Sequence, residues 1–99
     1  MSRPVKQRCI RKDPASYYFK PRGIPLKDLK ENNLTLDELE AIRLADLDRQ
    51  YQQQAACKMG VSRQTFGNII KSAHHKIADA LLRGKALKIK GGFVKKVRI

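Results

Sequence analysis

Apolar residues recur at helical spacing in the middle of the chain. The first such stretch has an apolar residue at every third position, widened by two further leucines: Leu36, Leu39, Ile42 and Ala45, with Leu44 and Leu47. Thr35 and Glu38 are spaced as a capping box, in which each side chain accepts a hydrogen bond from the other residue's backbone N–H. The pattern predicts a helix that begins after Thr35 and ends near Asp48.

A second, shorter helix is predicted over residues 51–59, and a long third helix follows it. Gly60 ends the second helix because glycine adopts the positive φ that a tight turn needs. Ser62 is a typical N-cap for the third helix, and Gly84 is placed to end it. The apolar positions of the third helix recur at three- and four-residue steps: Phe66, Ile69, Ile70, Ala73, Ile77, Ala80 and Leu81.

The two terminal segments carry no helical pattern. Residues 1–26 contain all four prolines, which disfavour a helix, and a short strand is predicted at residues 8–11. Tyr17, Tyr18 and Phe19 are expected to pack this arm onto the rest of the protein. Residues 86–90 alternate apolar and basic side chains, which predicts another strand. This strand could pair with the N-terminal strand or with residues 93–97, and the pattern does not decide between them.

These elements predict a mainly α protein in three segments. Residues 1–33 form a basic, proline-rich arm and loop, residues 34–84 a three-helix domain, and residues 85–99 a short strand or hairpin with a basic tail. No apolar run approaches the roughly 18 residues that span a bilayer, and no signal peptide is recognisable. We therefore expect a cytoplasmic protein, with no disulfide and with Cys57 buried as a free thiol.

The charge of the chain indicates a polyanionic partner. Lys and Arg number 22 against 9 Asp and Glu, a net charge of +13, which suits nucleic acid or an anionic membrane surface. Most acidic residues lie between Asp28 and Asp48, with basic segments on both sides. A protein with one DNA-facing side would show this uneven distribution.

Residues 52–71 match the pattern of a helix-turn-helix. Ala56 stands where two crossing helices leave room only for a small residue, and Gly60 stands in the turn. The remaining inner positions are all apolar: Ala55, Met59, Val61, Phe66 and Ile69. In this motif the recognition helix enters the major groove with its N-terminal residues.

The outward positions of the predicted third helix carry side chains that suit DNA. Arg can bond guanine, and Gln and Asn can bond adenine, through paired hydrogen bonds. Base contacts are therefore expected from Arg63, Gln64 and Asn68. Phosphate contacts, aided by the positive N-terminal end of the helix, are expected from four more side chains: Ser62, Thr65, Lys71 and His75.

Gly67 is unusual inside a helix, where it costs roughly 1 kcal/mol relative to Ala. We expect it to allow close approach of the backbone to DNA or to a neighbouring helix. No metal or other cofactor is expected, because the adjacent His74 and His75 point about 100° apart and no metal-ligand spacing supports them. No enzyme is expected either, because capping and the helix dipole account for the acidic residues of the first helix.

Five segments of the chain resemble a small prokaryotic family catalogued as domain of unknown function 134. They are FKPRGIPL (19–26), LTLDE (34–38), ADL (45–47), VSRQTFG (61–67) and GKAL (84–87). The resemblance extends to about Gly92, and the helical part is similar to region 4 of the sigma-70 factors. It implies a bacterial or archaeal helix-turn-helix protein that regulates transcription, and it implies no target. The basic tail after Gly92 is longer than the resemblance leads us to expect and suits additional phosphate contacts.

Three functions stay open. The first is sequence-specific binding of double-stranded DNA by a transcription regulator, with a homodimer on a two-fold site. The second is a nucleoid-type or RNA-binding protein that acts through its charge. The third is an interaction module that binds RNA polymerase or another protein partner through the acidic residues 37–48. The base-competent side chains of the third helix favour the first.

Overall fold

The longest element of the fold is a helix of 21 residues, against which the two other helices and two of the strands pack. The computed structural model describes residues 6–97, so the outermost parts of the predicted arm and tail (1–5 and 98–99) lie outside it. The helices are α1 (Leu36–Ile42), which continues into a π-helical turn (Arg43–Leu47), α2 (Gln52–Met59) and α3 (Arg63–Arg83). Five short strands accompany them within these residues: β1 (Arg8–Ile10), β2 (Tyr18–Phe19), β3 (Glu31–Leu34), β4 (Ala86–Ile89) and β5 (Val94–Lys96).

The helices begin and end at the residues that the sequence indicates. The capping box before α1 is confirmed: the Thr35 hydroxyl accepts from the Glu38 N–H, and Glu38 Oε1 accepts from the Thr35 N–H at 2.9 Å. The Ser62 hydroxyl accepts from the Thr65 N–H at 3.1 Å and caps α3. Gly60, with a φ of 71°, ends α2 in the left-handed conformation that favours glycine.

The main core lies between α1, α2 and the first half of α3. It consists of small and large apolar side chains: Ala41, Leu44, Ala55, Ala56, Met59, Phe66, Ile69 and Ile70. Phe66 is completely enclosed. Two residues predicted on inner faces, Leu47 and Leu81, are instead 75% exposed. Leu47 turns outward because the chain changes to π-helical geometry, with the Asp48 N–H bonded to the Arg43 carbonyl.

The strand pairing differs from both alternatives left open by the sequence. β4 lies at the centre of a three-stranded sheet, antiparallel to β2 and parallel to β3. The N-terminal strand β1 pairs in parallel with β5. Strand β3 was not predicted from the sequence, because three of its four residues are polar and none is β-branched. Its Leu34 is opposite Ile89, and both pack against Ala73 of α3.

The burial predicted for Cys57 is wrong. Both cysteines are free, but Cys57 is exposed and Cys9 is half-buried. On α2 the buried positions are Ala55, Ala56 and Met59. Cys57 lies on the opposite side of the helix, which faces solvent. None of the helices in residues 6–97 is long and apolar enough to cross a membrane.

Candidate nucleic-acid interface

A tight turn joins α2 to α3 and fixes how the two helices pack. The N–H groups of Gly60 and Val61 bond the carbonyls of Cys57 and Ala56 at 3.1 and 3.0 Å, which closes the end of α2. Ala56 is 1% exposed, so the small residue predicted at the crossing is indeed enclosed. The other predicted inner residues are buried too, apart from Val61, which is half-buried.

The N-terminal half of α3 presents four polar side chains to solvent. Arg63, Gln64, Asn68 and Lys71 are exposed. In an α-helix each residue turns by about 100°, so these four positions lie within a sector of about 140°. The buried residues of α3 lie on the opposite side of the helix. The structure therefore brings the predicted base-contacting residues and Lys71 together on one face.

None of these four side chains has an ion-pair or hydrogen-bond partner within residues 6–97. Their hydrogen-bonding groups are available to a ligand. By contrast, the Ser62 and Thr65 hydroxyls bond one another at 2.9 Å, and Ser62 is also engaged as the cap of the helix. Their expected phosphate contacts would have to compete with these internal bonds.

The two histidines of α3 have different surroundings. His75 is exposed on the same side of the helix as Lys71. His74 Nε2 lies 2.6 Å from Asp46 Oδ2 and so links α3 to the π-helical turn. Among the described residues, no three His, Cys, Asp or Glu side chains are grouped so that they could hold a metal ion.

Gly67 lies on the polar face of α3, next to the start of α2. A Cβ added at Gly67 would have one neighbour within 4 Å, Gln52 Oε1 at 3.9 Å, which is an ordinary contact distance. The expected close approach to a neighbouring helix is therefore wrong, and close approach to DNA stays a prediction. Gln52, at the start of α2, therefore lies beside the polar face of α3, a position that the sequence pattern did not indicate.

The acidic residues of α1 and the π-helical turn, with Asp48 just after it, form ion pairs and hydrogen bonds with other residues of the protein. Their partners are distributed over β1, α1, the π-helical turn and α3: Asp37 with Thr35 and Arg8, Glu38 with Ser72 and Lys76, Glu40 with Arg43 and the Arg11 N–H, Asp46 with His74, and Asp48 with Arg43. Asp37, Glu38 and Glu40 are also buried. The segment offers little free negative charge to a partner.

The ionisation of the buried carboxylates follows from these contacts. Burial raises the pKa of Glu38, but hydrogen bonds from Lys76, Ser72 and the Thr35 backbone outweigh it and leave the pKa below its usual value. The hydrogen bond to Glu40 raises the pKa of Arg43, against a smaller opposing effect of burial. Glu38 is thus held as a carboxylate beside Lys76, and the Arg43 guanidinium is held charged beside Glu40.

The family of the chain follows from comparison with other proteins. The family described as "Protein of unknown function DUF134" matches residues 1–97. A UPF0251 protein of Prosthecochloris aestuarii is 52% identical over 94 residues, which are 95% of this chain and 61% of that protein. This chain thus spans less than two thirds of that relative.

Two other relatives are matched over more of their length. A UPF0251 protein of Caldanaerobacter subterraneus is 55% identical over 92 residues, 93% of this chain and 78% of that protein. A UPF0251 protein of Halothermothrix orenii is 48% identical over 99 residues, all of this chain and 73% of that protein. No solved structure matches. With its match over residues 1–97 and these relatives, the chain belongs to the DUF134 family of proteins of unknown function.

Proposed function

We propose that this chain binds double-stranded DNA sequence-specifically and regulates transcription. α2, the turn at Gly60 and α3 act as a helix-turn-helix, similar to region 4 of the sigma-70 factors, and α3 enters the major groove with its N-terminal end. Arg63, Gln64 and Asn68 contact base edges, and Lys71 contacts the backbone. The protein acts at the nucleoid and carries out no catalytic step.

One observation carries this proposal. The side chains at the start of α3 with base-specific hydrogen-bonding groups are exposed and have no partner among residues 6–97, whereas the acidic residues of the first helical segment are paired. Arg, Gln and Asn are the side-chain types that form paired hydrogen bonds with base edges, which a merely solvated helix face does not require. The free cations Arg63 and Lys71 face the same way, and the positive end of the helix dipole adds to their field.

A second candidate function rests on the distribution of the remaining positive charge. Lys20, Arg22, Lys27 and Lys30 are exposed, and the segment that contains them lies against the C-terminal end of α3 at Gly84 and Lys85. α3 is about 30 Å long, so these cations are far from Arg63. A nucleoid-type or RNA-binding protein that acts mainly through charge would bind nucleic acid with the cations at both ends of α3.

Selection of bound sequences from a random duplex library, at about 150 mM salt, tests the proposal. We expect one reproducible motif with wild-type protein, and loss of that motif with Asn68→Ala. Symmetry in the motif would support the homodimer that we also propose. Lys27→Ala is the control, since it removes a cation at the other end of α3 and should leave the motif unchanged.

The alternatives give different results in the same experiment. Tight binding without an enriched motif, or equal losses with Lys27→Ala and Lys71→Ala, would support the charge-driven function instead. Preference for RNA over the duplex would do the same. A protein partner such as RNA polymerase stays a separate proposal, and the internal pairing of the acidic residues gives it little support on the α1 side.

A further inference from the structure

Strand β1 lies against the turn that leads into α3. The Cys9 sulfur is 3.5 Å from the position that a Cβ would occupy at Gly60, so the Cys9 side chain points at the turn. Arg63, the first residue of α3, follows Gly60 by three positions. The face of β1 that carries Cys9 is therefore the face next to the proposed DNA-contacting end of α3.

Strand β5 extends this face by one strand. β5 pairs with β1 in parallel, and the register places Lys95 opposite Cys9. Partner residues on adjacent strands project to the same face of a sheet, with the strands about 4.8 Å apart. Lys95 therefore projects on the side of the turn, one strand beyond Cys9, and it is exposed.

The two strands are held firmly on the protein. The Arg8 N–H donates to the Phe93 carbonyl at 2.9 Å, and the Val97 N–H donates to the Ile10 carbonyl at 2.7 Å. Ile10 is 5% exposed, and the next residue, Arg11, bonds Glu40 of α1 through its backbone N–H at 3.1 Å. Because β1 is anchored in this way, the position of Lys95 relative to the turn is fixed.

The two neighbouring lysines of β5 differ in what they contact. Lys96 lies opposite Ile10, projects to the other face, and donates to the carboxylate of Asp13. Lys95 has no acidic partner among residues 6–97. Its charge is therefore available to an external anion, while that of Lys96 is already compensated.

We infer that Lys95 is a second point of contact with DNA, binding a backbone phosphate beside the base pairs contacted by the start of α3. This inference rests on the proposed function and extends it to the sheet β1–β5. A lysine on a strand fixed against the turn would set the register of α3 on the duplex, because phosphate contacts determine position and orientation while base contacts determine sequence.

The salt dependence of binding tests this contact with wild-type protein, Lys95→Ala and Lys96→Ala. Each phosphate contact contributes about 0.9 to the slope of log K against log salt concentration. We expect Lys95→Ala to lower the slope by about 0.9 and to weaken binding about fivefold at 150 mM salt, with the selected motif unchanged. Lys96→Ala removes the same charge from the other face and should keep the wild-type slope.

Phosphate ethylation locates the contact. Modification of one phosphate that flanks the motif should interfere with binding of wild-type protein and Lys96→Ala, but not of Lys95→Ala. Equal slopes for Lys95→Ala and Lys96→Ala, or no phosphate that distinguishes them, would overturn the inference. If Asn68→Ala still abolished the motif in that case, the proposed function would stand without this contact. Wild-type protein that binds no duplex would overturn both.

Discussion

The Lys76 Nζ lies 2.7 Å from Glu38 Oε1, so one ion pair ties α1 to the middle of α3. The same carboxylate completes the capping box with the Thr35 N–H and accepts from the Ser72 hydroxyl at 2.6 Å. Glu38 thus starts one helix and positions another. Since α3 carries the proposed DNA-contacting residues, this side chain determines where that face lies relative to the core.

Replacement of Glu38 by Gln should destabilise the protein. Glu38→Gln can keep the hydrogen bond from the Thr35 N–H. It removes the negative charge that accepts hydrogen bonds from Lys76 and Ser72 at a buried position. Hydrogen bonds to charged groups contribute about 1.5–3 kcal/mol, and we expect a loss of that order in the free energy of unfolding measured with urea. Asp28→Asn is the control, because Asp28 is exposed and has no side-chain partner among residues 6–97. An equal loss in both variants would contradict the assignment.

Stability should fall in acid because of Asp79. Hydrogen bonds from Lys85 and Asn32 lower the pKa of Asp79 to about 2, whereas an unfolded Asp has a pKa of about 3.9. Because the folded protein binds this proton less tightly, the contribution of Asp79 is complete above about pH 4 and is lost as the pH falls toward about 2. The lowered pKa of Glu38 acts in the same direction.

Thermal unfolding of wild-type protein and Asp79→Asn between pH 6 and pH 2 measures this contribution. We expect the variant to melt lower at pH 6 and the two curves to converge near pH 2. Lys85→Met removes the partner instead of the carboxylate, since the Lys85 Nζ lies 2.6 Å from Asp79 Oδ2. Its melting temperature should also be lower than that of wild-type protein at pH 6 and approach the wild-type value near pH 2, by a smaller amount than in Asp79→Asn. Parallel curves over the whole range would show that Asp79 does not cause the pH dependence.

The exposure of Cys57 predicts a difference in thiol reactivity. Cys57 is open to solvent, while the Cys9 sulfur lies against the turn at Gly60. Iodoacetamide should therefore modify Cys57 first in the folded protein, as followed by mass spectrometry of peptides. Cys57→Ser should change the free energy of unfolding by no more than about 0.5 kcal/mol, as expected for a surface position. Faster modification of Cys9 would mean that β1 is not seated on the turn.

The sequence predicted the helices because their signals are local. The capping box at Thr35 and the positive φ at Gly60 depend on a few adjacent residues, and the helical period alone places Arg63 and Asn68 on one side of α3. The π-helical turn that exposes Leu47 breaks this period, and no residue type marks it. Strand β3 could not be recognised from its composition, since it depends on β4, which is more than fifty residues away in the chain.

The internal pairing of the acidic residues was also beyond sequence analysis. Asp46 and His74, or Glu38 and Lys76, meet only after the helices pack, because the partners are 28 and 38 residues apart. The sequence therefore indicated an acidic surface where the structure has compensated charges. The sequence likewise shows that β5 carries two lysines, but it does not show that Lys95 and Lys96 project to different faces with different partners. That difference depends on the register between β5 and β1.

The glycines at positions 67 and 92 should respond to alanine in opposite ways. At Gly67 the helix is regular and an added Cβ has room, with Gln52 Oε1 3.9 Å away. Gly67→Ala should therefore raise the free energy of unfolding by roughly 1 kcal/mol, the difference in helix propensity. At Gly92, φ is 100° and the Cβ would lie 2.7 Å from Asp37 Oδ1, so Gly92→Ala should destabilise the protein.

DNA affinity separates the structural role of Gly67 from its proposed functional role. A more stable Gly67→Ala protein with weaker binding to the selected duplex would indicate that the DNA backbone approaches α3 at this position, where a methyl group interferes. Chemical denaturation and binding of the same preparation give both quantities. Unchanged affinity would mean that α3 lies in the groove on its Gln64 and Asn68 side, about 60–100° further round the helix from Gly67. A loss of stability would instead contradict the free space that surrounds Gly67.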